Sequence, residues 1–259
     1  MDIASIIGTG IAMVALIVGI FAAGISAGQI IDLASVFITF GGAAGTVIIS
    51  NPLNLTLNMG NVYRKIFRVP QFNVKAKIIQ IVSFSEKARR DGLLALEDDM
   101  EELDDPFMKK ALQLVVDGTD PDIVRNVMQI DLESMEARHA RNRSWFDSVA
   151  TLAPGFGMLG TLIGLVGMLA NLGGDASAIG RGMAAALITT FYGSLLQNIW
   201  AVPVANKLKG RTDEEILVKQ VMIEGTLSIQ AGDNPRIVLE KLASYLDPDM
   251  REELRQTEV

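Results

Sequence analysis

The sequence predicts an all-α membrane protein: four transmembrane helices, a helical cytoplasmic domain inserted between helices two and three, and a helical C-terminal segment. Three observations carry this. Ile3–Ile31, Leu33–Tyr63, Ser148–Gly174 and Gly182–Asn206 contain no Asp, Glu, Lys or Arg, and ~20 helical residues cross a ~30 Å hydrocarbon core. The charge is confined almost entirely to Arg64–Asp147 and Lys207–Glu258, which reconciles a net charge of -7 with a hydrophobic fraction of 49%. Within Ala153–Leu172, Gly157, Gly160, Gly164 and Gly167 recur at steps of three and four, so they share one helix face. Glycines on one face let another backbone approach closely in a membrane. No strand alternation competes with this reading. The expected division is residues 1–50, a transmembrane hairpin; 51–149, a cytoplasmic helical domain; 150–206, a second transmembrane hairpin; and 207–259, C-terminal cytoplasmic helices and tail.

Composition excludes several classes of chemistry. There is no cysteine, hence no disulfide and no thiolate metal site. His139 is the one histidine, so one subunit cannot build a multi-histidine metal site. Phosphate-binding loops, zinc-protease motifs and catalytic constellations are missing. The expectation is a protein that is not an enzyme, has no cofactor and binds no nucleic acid. Asp2 and the lack of a basic residue before the first apolar block argue against a cleaved signal peptide.

Orientation follows from lysine and arginine. The Ala23–Gln29 connection has neither, and the Gly173–Arg181 connection has only Arg181. Arg64, Lys65 and Arg68 follow helix two, Arg138, Arg141 and Arg143 precede helix three, and Lys207, Lys209 and Arg211 follow helix four. The basic ends are cytoplasmic, the hairpins face outward, and both termini lie inside.

Taken in order, helix one covers about Ile3 to Ala23 and is aliphatic with no polar stripe. Helix two runs from about Ile30 to Ser50. Asp32 at its outer end serves either as a cap held by the helix dipole or as an acid at the outer mouth of an ion route. Gly41 and Gly45 offer a second close-packing face, and Asn51-Pro52 ends the helix. Helical segments follow at Val74–Arg90, Leu93–Leu96 and Pro106–Val116. Asp120-Pro121 caps a long helix on which Ile123, Val127 and Ile130 mark one face. No breaker intervenes until Pro154, so this helix is expected to run on as helix three. Helix four, about Gly182 to Val204, carries a stripe of Gly182, Ala186, Thr190, Gly193 and Gln197, with Thr189 adjacent. Helices three and four press these stripes on each other or on a third body. Pro154 and Pro203, near the cytoplasmic ends of helices three and four, remove backbone donors and suit packing kinks or hinges. Thr212–Ile229 reads as an amphipathic helix, Asn234-Pro235 opens a shorter one to about Tyr245, and Asp247–Val259 reads as a loose charged tail.

Arg89-Arg90 followed by Asp91, Glu97, Asp98, Asp99, Glu101, Glu102, Asp104 and Asp105 is a sharp charge boundary. It is either a solvated face with weak local pairs or a docking surface. If Gly92 leaves the helix intact, Arg90 and Glu97 share a face.

An ion path needs a titratable or coordinating group in the membrane. No charged residue lies deep inside any predicted span; Thr161, Thr189 and Thr190 supply only neutral oxygens. Either the chain conducts nothing, or a second chain brings a carboxylate.

Three stretches then carry a resemblance: ARRDGLLALED at Ala88–Asp98, PGFGMLGTLIGLVGML at Pro154–Leu169 and AALITTFYG at Ala185–Gly193. In this order they resemble the A subunit of the bacterial flagellar stator, the MotA/PomA family, within the MotA/TolQ/ExbB superfamily. The resemblance implies a homopentamer around a dimer of B subunits (MotB/PomB), each lending one membrane helix with an essential aspartate. It implies H+ or Na+ as coupling ion, location in the bacterial inner membrane, and torque delivered to the rotor protein FliG. By resemblance, Arg89 or Arg90 together with Glu97 act on the rotor. Pro154 and Pro203 couple membrane to cytoplasm, Thr161 and Thr190 with adjacent Thr189 line the ion route, and Asp32 is the outer acid. The alternative is an ExbB/TolQ-like energiser of outer-membrane processes, whose members have three spans and lack the hairpin Ile3–Ser50. A non-conducting membrane scaffold is the third reading.

Overall fold

A computed structural model describes residues 2–67, 72–173 and 176–257. Arg68 of the orientation argument, Gly174 at the end of the third apolar block, and Glu258 and Val259 of the tail lie outside the described residues. Among the described residues every regular element is helical: α1 Ile3–Ala22, α2 Leu33–Ser50, α3 Leu53–Lys65, α4 Val74–Asp91, a 3-10 turn Leu93–Leu96 leading into α5 Glu97–Glu101, α6 Pro106–Val116, α7 Pro121–Ala170, α8 Ala176–Leu195, α9 Val202–Ala231, α10 Pro235–Ala243 and α11 Pro248–Thr257. A one-turn helix Ala27–Ile30 precedes α2. Two π-helical segments occur, Phe37–Gly41 inside α2 and Leu196–Ala201 between α8 and α9.

Among the described residues three helices are long and apolar enough to cross a membrane: α1, α2 and α7. The fourth expected span, Gly182–Val204, is helical from end to end. Its backbone changes register at Leu196–Ala201, and it carries glycine, threonine, Gln197 and Asn198, which dilute its apolarity.

The chain divides into two compact units, Met1–Val69 with His139–Gly210 and Pro70–Arg138 with Arg211–Val259. In the first unit, α1 buries none of its residues. It is fixed at its start: the Asp2 carboxylate accepts from the Ser5 N–H and pairs with Lys207 Nζ at 2.5 Å, and the Asp2 N–H donates to the Phe67 carbonyl. Trp145, Phe146 and Trp200 pack edge to face and Tyr63 tilts against Trp200, with Trp145 Nε1–H donating to Thr56 Oγ1 at 3.3 Å. Buried aromatics keep their polar tips paired in this way.

The glycine face of α7 is used within the chain. A Cβ at Gly164 would fall 2.6 Å from the Gly182 carbonyl oxygen, at Gly160 2.4 Å from Thr189 Cγ2, and at Gly193 2.7 Å from the Ala153 carbonyl oxygen. α7 and α8 therefore meet backbone on backbone, and the two small-residue stripes press on each other. Gly167 meets nothing within 4 Å and lies outside that seam. On α2 the close-packing glycine is Gly42, whose missing Cβ makes room for the Phe156 ring; Gly41 and Gly45 face open space. Gly41 and Gly42 are adjacent, about 100° apart on an ideal helix, so the face that meets Phe156 at Gly42 is turned from Gly41.

The second unit is a water-type helical core. Ile78, Ile81, Leu96, Met108, Leu112, Val124, Met128, Met222, Val238 and Leu242 are buried in one cluster. The buried stripe of α7 here is Val124, Met128, Leu132 and Met135, whereas Ile123 and Ile130 are more than half exposed. The stripe beginning at Ile123 runs out at Ser134; the one beside it stays apolar for another turn, and burial follows the longer stripe. α9 continues through the expected boundary at Thr212 without a break. The tail is not loose: α11 covers Pro248–Thr257, Leu254 is fully buried, and Arg251 donates to the Leu246 and Ser244 carbonyls. One apolar side chain per few turns is enough to dock a charged amphipathic helix.

Glu224 on α9 binds Arg125 of α7 and Lys241 of α10, the latter at 3.0 Å. Burial pushes its carboxyl upward, but the hydrogen bonds from Arg125 and Lys241 outweigh that and hold it below the usual glutamate range. Its stabilising effect is therefore complete above a pH of about 4.3 and is lost as pH falls through the lowered folded value. Glu224→Gln should flatten the acid limb of a thermal-stability profile in detergent below about pH 4.3, and cost less than about 1 kcal/mol at neutral pH because Arg125 and Lys241 are partly solvated. In the membrane-type unit, Gly164→Ala should destabilise by about 1–3 kcal/mol, since the opposing atom is backbone and cannot move aside. Gly167→Ala should be neutral or stabilising by up to about 1 kcal/mol in the same melting assay.

Candidate functional site

The absence of side chains at Gly157, Gly160 and Gly164 brings α8 close enough for hydroxyls on both helices to meet. Thr161 Oγ1 lies 2.5 Å from Thr190 Oγ1, 3.1 Å from the Gly157 carbonyl oxygen and 3.1 Å from the Ala186 carbonyl oxygen. Thr190 Oγ1 is 3.5 Å from the Gly157 oxygen and 3.3 Å from the Ala186 oxygen. Four oxygens thus converge with only two hydroxyl protons between them. Such a cluster has acceptor capacity to spare for a proton donor or a hard cation. Thr161 is half-buried and Thr190 exposed, so the cluster reaches the surface of the helix pair.

Thr189 is not part of this surface. It is 1% exposed, packs over Gly160, and donates to the Ala186 carbonyl at 2.9 Å on its own helix. Its backbone carbonyl meets Thr39 Oγ1 at 3.4 Å. One turn earlier Ser35 Oγ meets the Ala185 carbonyl at 3.4 Å. Ser35 and Thr39, both fully buried, form a hydroxyl ladder from α2 onto α8. Sequence reasoning missed these two; the signal was their four-residue spacing after Asp32 on an otherwise apolar helix. Tyr192 OH donates to the Ile30 carbonyl at 2.6 Å and closes the same seam.

Asp32 is the N-cap of α2. Its carboxylate accepts from the Ser35 N–H at 2.8 Å and from the Ser35 hydroxyl. Pro154 sits within unbroken α7, half-buried, with its Cα 3.2 Å from where a Gly193 Cβ would be. Pro203 is exposed, two residues beyond the π-helical segment, where the Val202 N–H donates to Gln197 O.

The charge boundary is split. α4 ends at Gly92, which adopts φ +89°, a conformation that favours glycine. Arg90 and Glu97 therefore do not share a helix face. The segment is pinned by Leu96 and Met100 in the core and by Lys87 Nζ to Asp99 at 2.8 Å. Arg90 forms a two-pronged pair with Asp91, Nε to Oδ1 at 3.0 Å and Nη2 to Oδ2 at 2.9 Å. The Asp91 hydrogen bond raises the Arg90 guanidinium and, through Arg90, the Asp91 carboxyl is held below its ordinary value. Arg89 is exposed and has no ion-pair partner among the described residues; Glu97 is likewise exposed and unpaired there. No group of three His, Cys, Asp or Glu side chains among the described residues converges to hold a metal.

Residues 99–220 match the MotA/TolQ/ExbB proton channel family. The chain is 44% identical to motility protein A of Treponema phagedenis over 98% of its own length and 97% of that protein's. It is 36% identical to the chemotaxis protein PomA of Vibrio alginolyticus, covering 97% of this chain and 98% of that one. It superposes on a chain of the flagellar MotAB stator complex from Bacillus subtilis with a TM-score of 0.89 and 33% identity, over 96% of this chain and 98% of that one. An oxygen cluster set in charge-free stretches of α7 and α8 and end-to-end similarity to motility proteins agree: the chain belongs to the motility protein A group of the MotA/TolQ/ExbB proton channel family.

Proposed function

We propose that the chain is the A subunit of a flagellar stator, which with a B subunit forms an inner-membrane ion channel and converts ion motive force into torque. The observation that carries the reading is the Thr161–Thr190 oxygen cluster, open at the surface of two helix stretches, 148–170 of α7 and 182–195 of α8, that carry no charge of their own. Similarity over the leading hairpin as well as the family core favours this reading over an ExbB/TolQ-like energiser.

In this reading α1, α2, the membrane part of α7, and α8 continuing into α9 are the four spans, both termini are cytoplasmic, and five copies surround two B subunits. The residues 51–149 and 207–259 form the cytoplasmic part. The coupling ion, H+ or Na+, neutralises an aspartate lent by the B subunit. A bare carboxylate in the membrane costs several kcal/mol, and its neutralisation removes that cost. The aspartate's preference between the Thr161/Thr190 wall and water then changes, which biases a ring with several equivalent positions. Thr189, turned into the seam, holds the wall in place, and Asp32 holds the outer end of α2 as a cap. Pro154 and the π segment before Pro203 supply backbone that deforms without breaking helix hydrogen bonds.

Rotor contact falls to Arg89 and Glu97. Asp91 already neutralises Arg90, whereas Arg89 offers an uncommitted positive charge to FliG.

A strain lacking the gene should be flagellated but unable to swim, and the wild-type gene with its partner should restore swimming. Arg89→Glu should fail to restore it, while Arg90→Glu should retain most swimming speed in soft agar and tethered-cell assays; equal loss from both would reject the assignment of Arg89. Thr161→Val with Thr190→Val keeps shape and removes both hydroxyls. It should leave expression and assembly intact and lower ion-dependent rotation by about tenfold or more, the equivalent of ~1.4 kcal/mol on the barrier. Rotation measured against external sodium at fixed pH reads the coupling ion in the same cells.

A further inference from the structure

We propose that Leu94 is the apolar anchor of the rotor-facing surface, filling a socket on the partner while the charges beside it govern encounter and register. This rests on the stator reading above. Isolated exposed leucines are ordinary on protein surfaces; the setting of this one is not. The 3-10 turn Leu93–Leu96 holds three leucines. Leu96 is fully buried, Leu93 packs against the same core, and Leu94 is 70% exposed, the highest value among the large apolar side chains of its unit. The turn is rigid: Gly92 starts it in a left-handed conformation, Leu96 and Met100 nail it to the core, and the Lys87–Asp99 pair closes it from outside. A side chain presented on such a turn loses little freedom on binding.

Its neighbours carry both signs of charge. Glu97, three residues on and exposed, falls on the side of Leu94 in the 3-10 geometry, with exposed Asp98 next to it in the chain. Arg89 stands exposed on the far side of Gly92. An apolar centre with a charged fringe is the arrangement in which fringe charges set association and the desolvated centre sets dissociation. The partner that fits has an apolar socket flanked by an acidic group towards Arg89 and a basic group towards Glu97 and Asp98.

The test uses the full A–B complex in nanodiscs and purified FliG of the same organism, with binding kinetics measured at several salt concentrations. Leu94→Ala should speed dissociation by about fivefold or more, with association rate, salt dependence, ion conduction and ring size unchanged. Leu94→Met should restore dissociation to within about twofold, since its volume and apolarity are close. Arg89→Ala should instead slow association and flatten its salt dependence. If Leu94→Ala dissociates like the wild type while Arg89→Ala still weakens binding, the anchor is refuted and the stator reading stands. If Leu94→Ala shrinks the ring in native mass spectrometry, Leu94 contacts a second copy of the chain and the anchor is refuted. If the wild-type complex does not bind FliG, the stator reading falls and the anchor with it.

Discussion

The backbone contact between α7 and α8 is the constraint on which the rest of the membrane-type unit depends. Gly157, Gly160 and Gly164 on one side and Gly182 and Gly193 on the other leave no room even for a methyl group. Lipid gives helices no hydrophobic reason to associate, so close packing and interhelical hydroxyl bonds must do it. The same approach places Thr161 against Thr190 and seats Thr189 over Gly160. Ser35 and Thr39 then lie against the Ala185 and Thr189 carbonyls of α8. The polar cluster is thus a by-product of the packing that makes the helix pair, and any change that separates the backbones also dismantles the cluster.

The Thr161–Thr190 cluster has oxygens but no charge. Neutral oxygens can accept a proton or ligate a cation, but they hold neither strongly. Their usefulness lies in offering little preference of their own, so that a titratable group on another chain decides occupancy. Placing the charge on a different subunit also lets that group move relative to the wall, which a side chain on α7 or α8 could not do. In the proposed reading the division of labour between subunits rests on this geometry and not on any special property of threonine.

How much of this was legible in the sequence varies with the physics involved. The segregation of charge gave the helical membrane class, and the three- and four-residue glycine spacing gave the α7 seam, because both are periodic signals on a single helix. That Thr161 and Thr190 meet was legible for the same reason. Choices between adjacent stripes were not legible. Gly42 packs where Gly41 and Gly45 were expected, and Val124, Met128, Leu132 and Met135 are buried where Ile123 and Ile130 were expected. Rotation by one residue is invisible until the partner helix is known. Gly92 decided the relation of Arg90 to Glu97 through its backbone conformation, and the pairing of Arg90 with Asp91 was not legible either. The π segments left no trace in apolar periodicity, and Leu254 alone turned a tail expected to be loose into a docked helix.

Where the backbone is soft and where it is stiff also has a pattern. The chain passes between its two compact units at residues 69/70, 138/139 and 210/211, and the last two crossings fall inside α7 and α9. At those places the backbone is regular helix, with no proline, no glycine turn and no π segment. Pro154, the π segment Leu196–Ala201 and Pro203 all belong to the first unit, flanking the close contact of Ala153 and Pro154 with Gly193. Proline and π turns are the usual reasons that a helix bends. Deformation is therefore cheap beside the seam that carries the threonines. In the proposed reading that compliance lies beside the place where an ion's arrival has to become displacement.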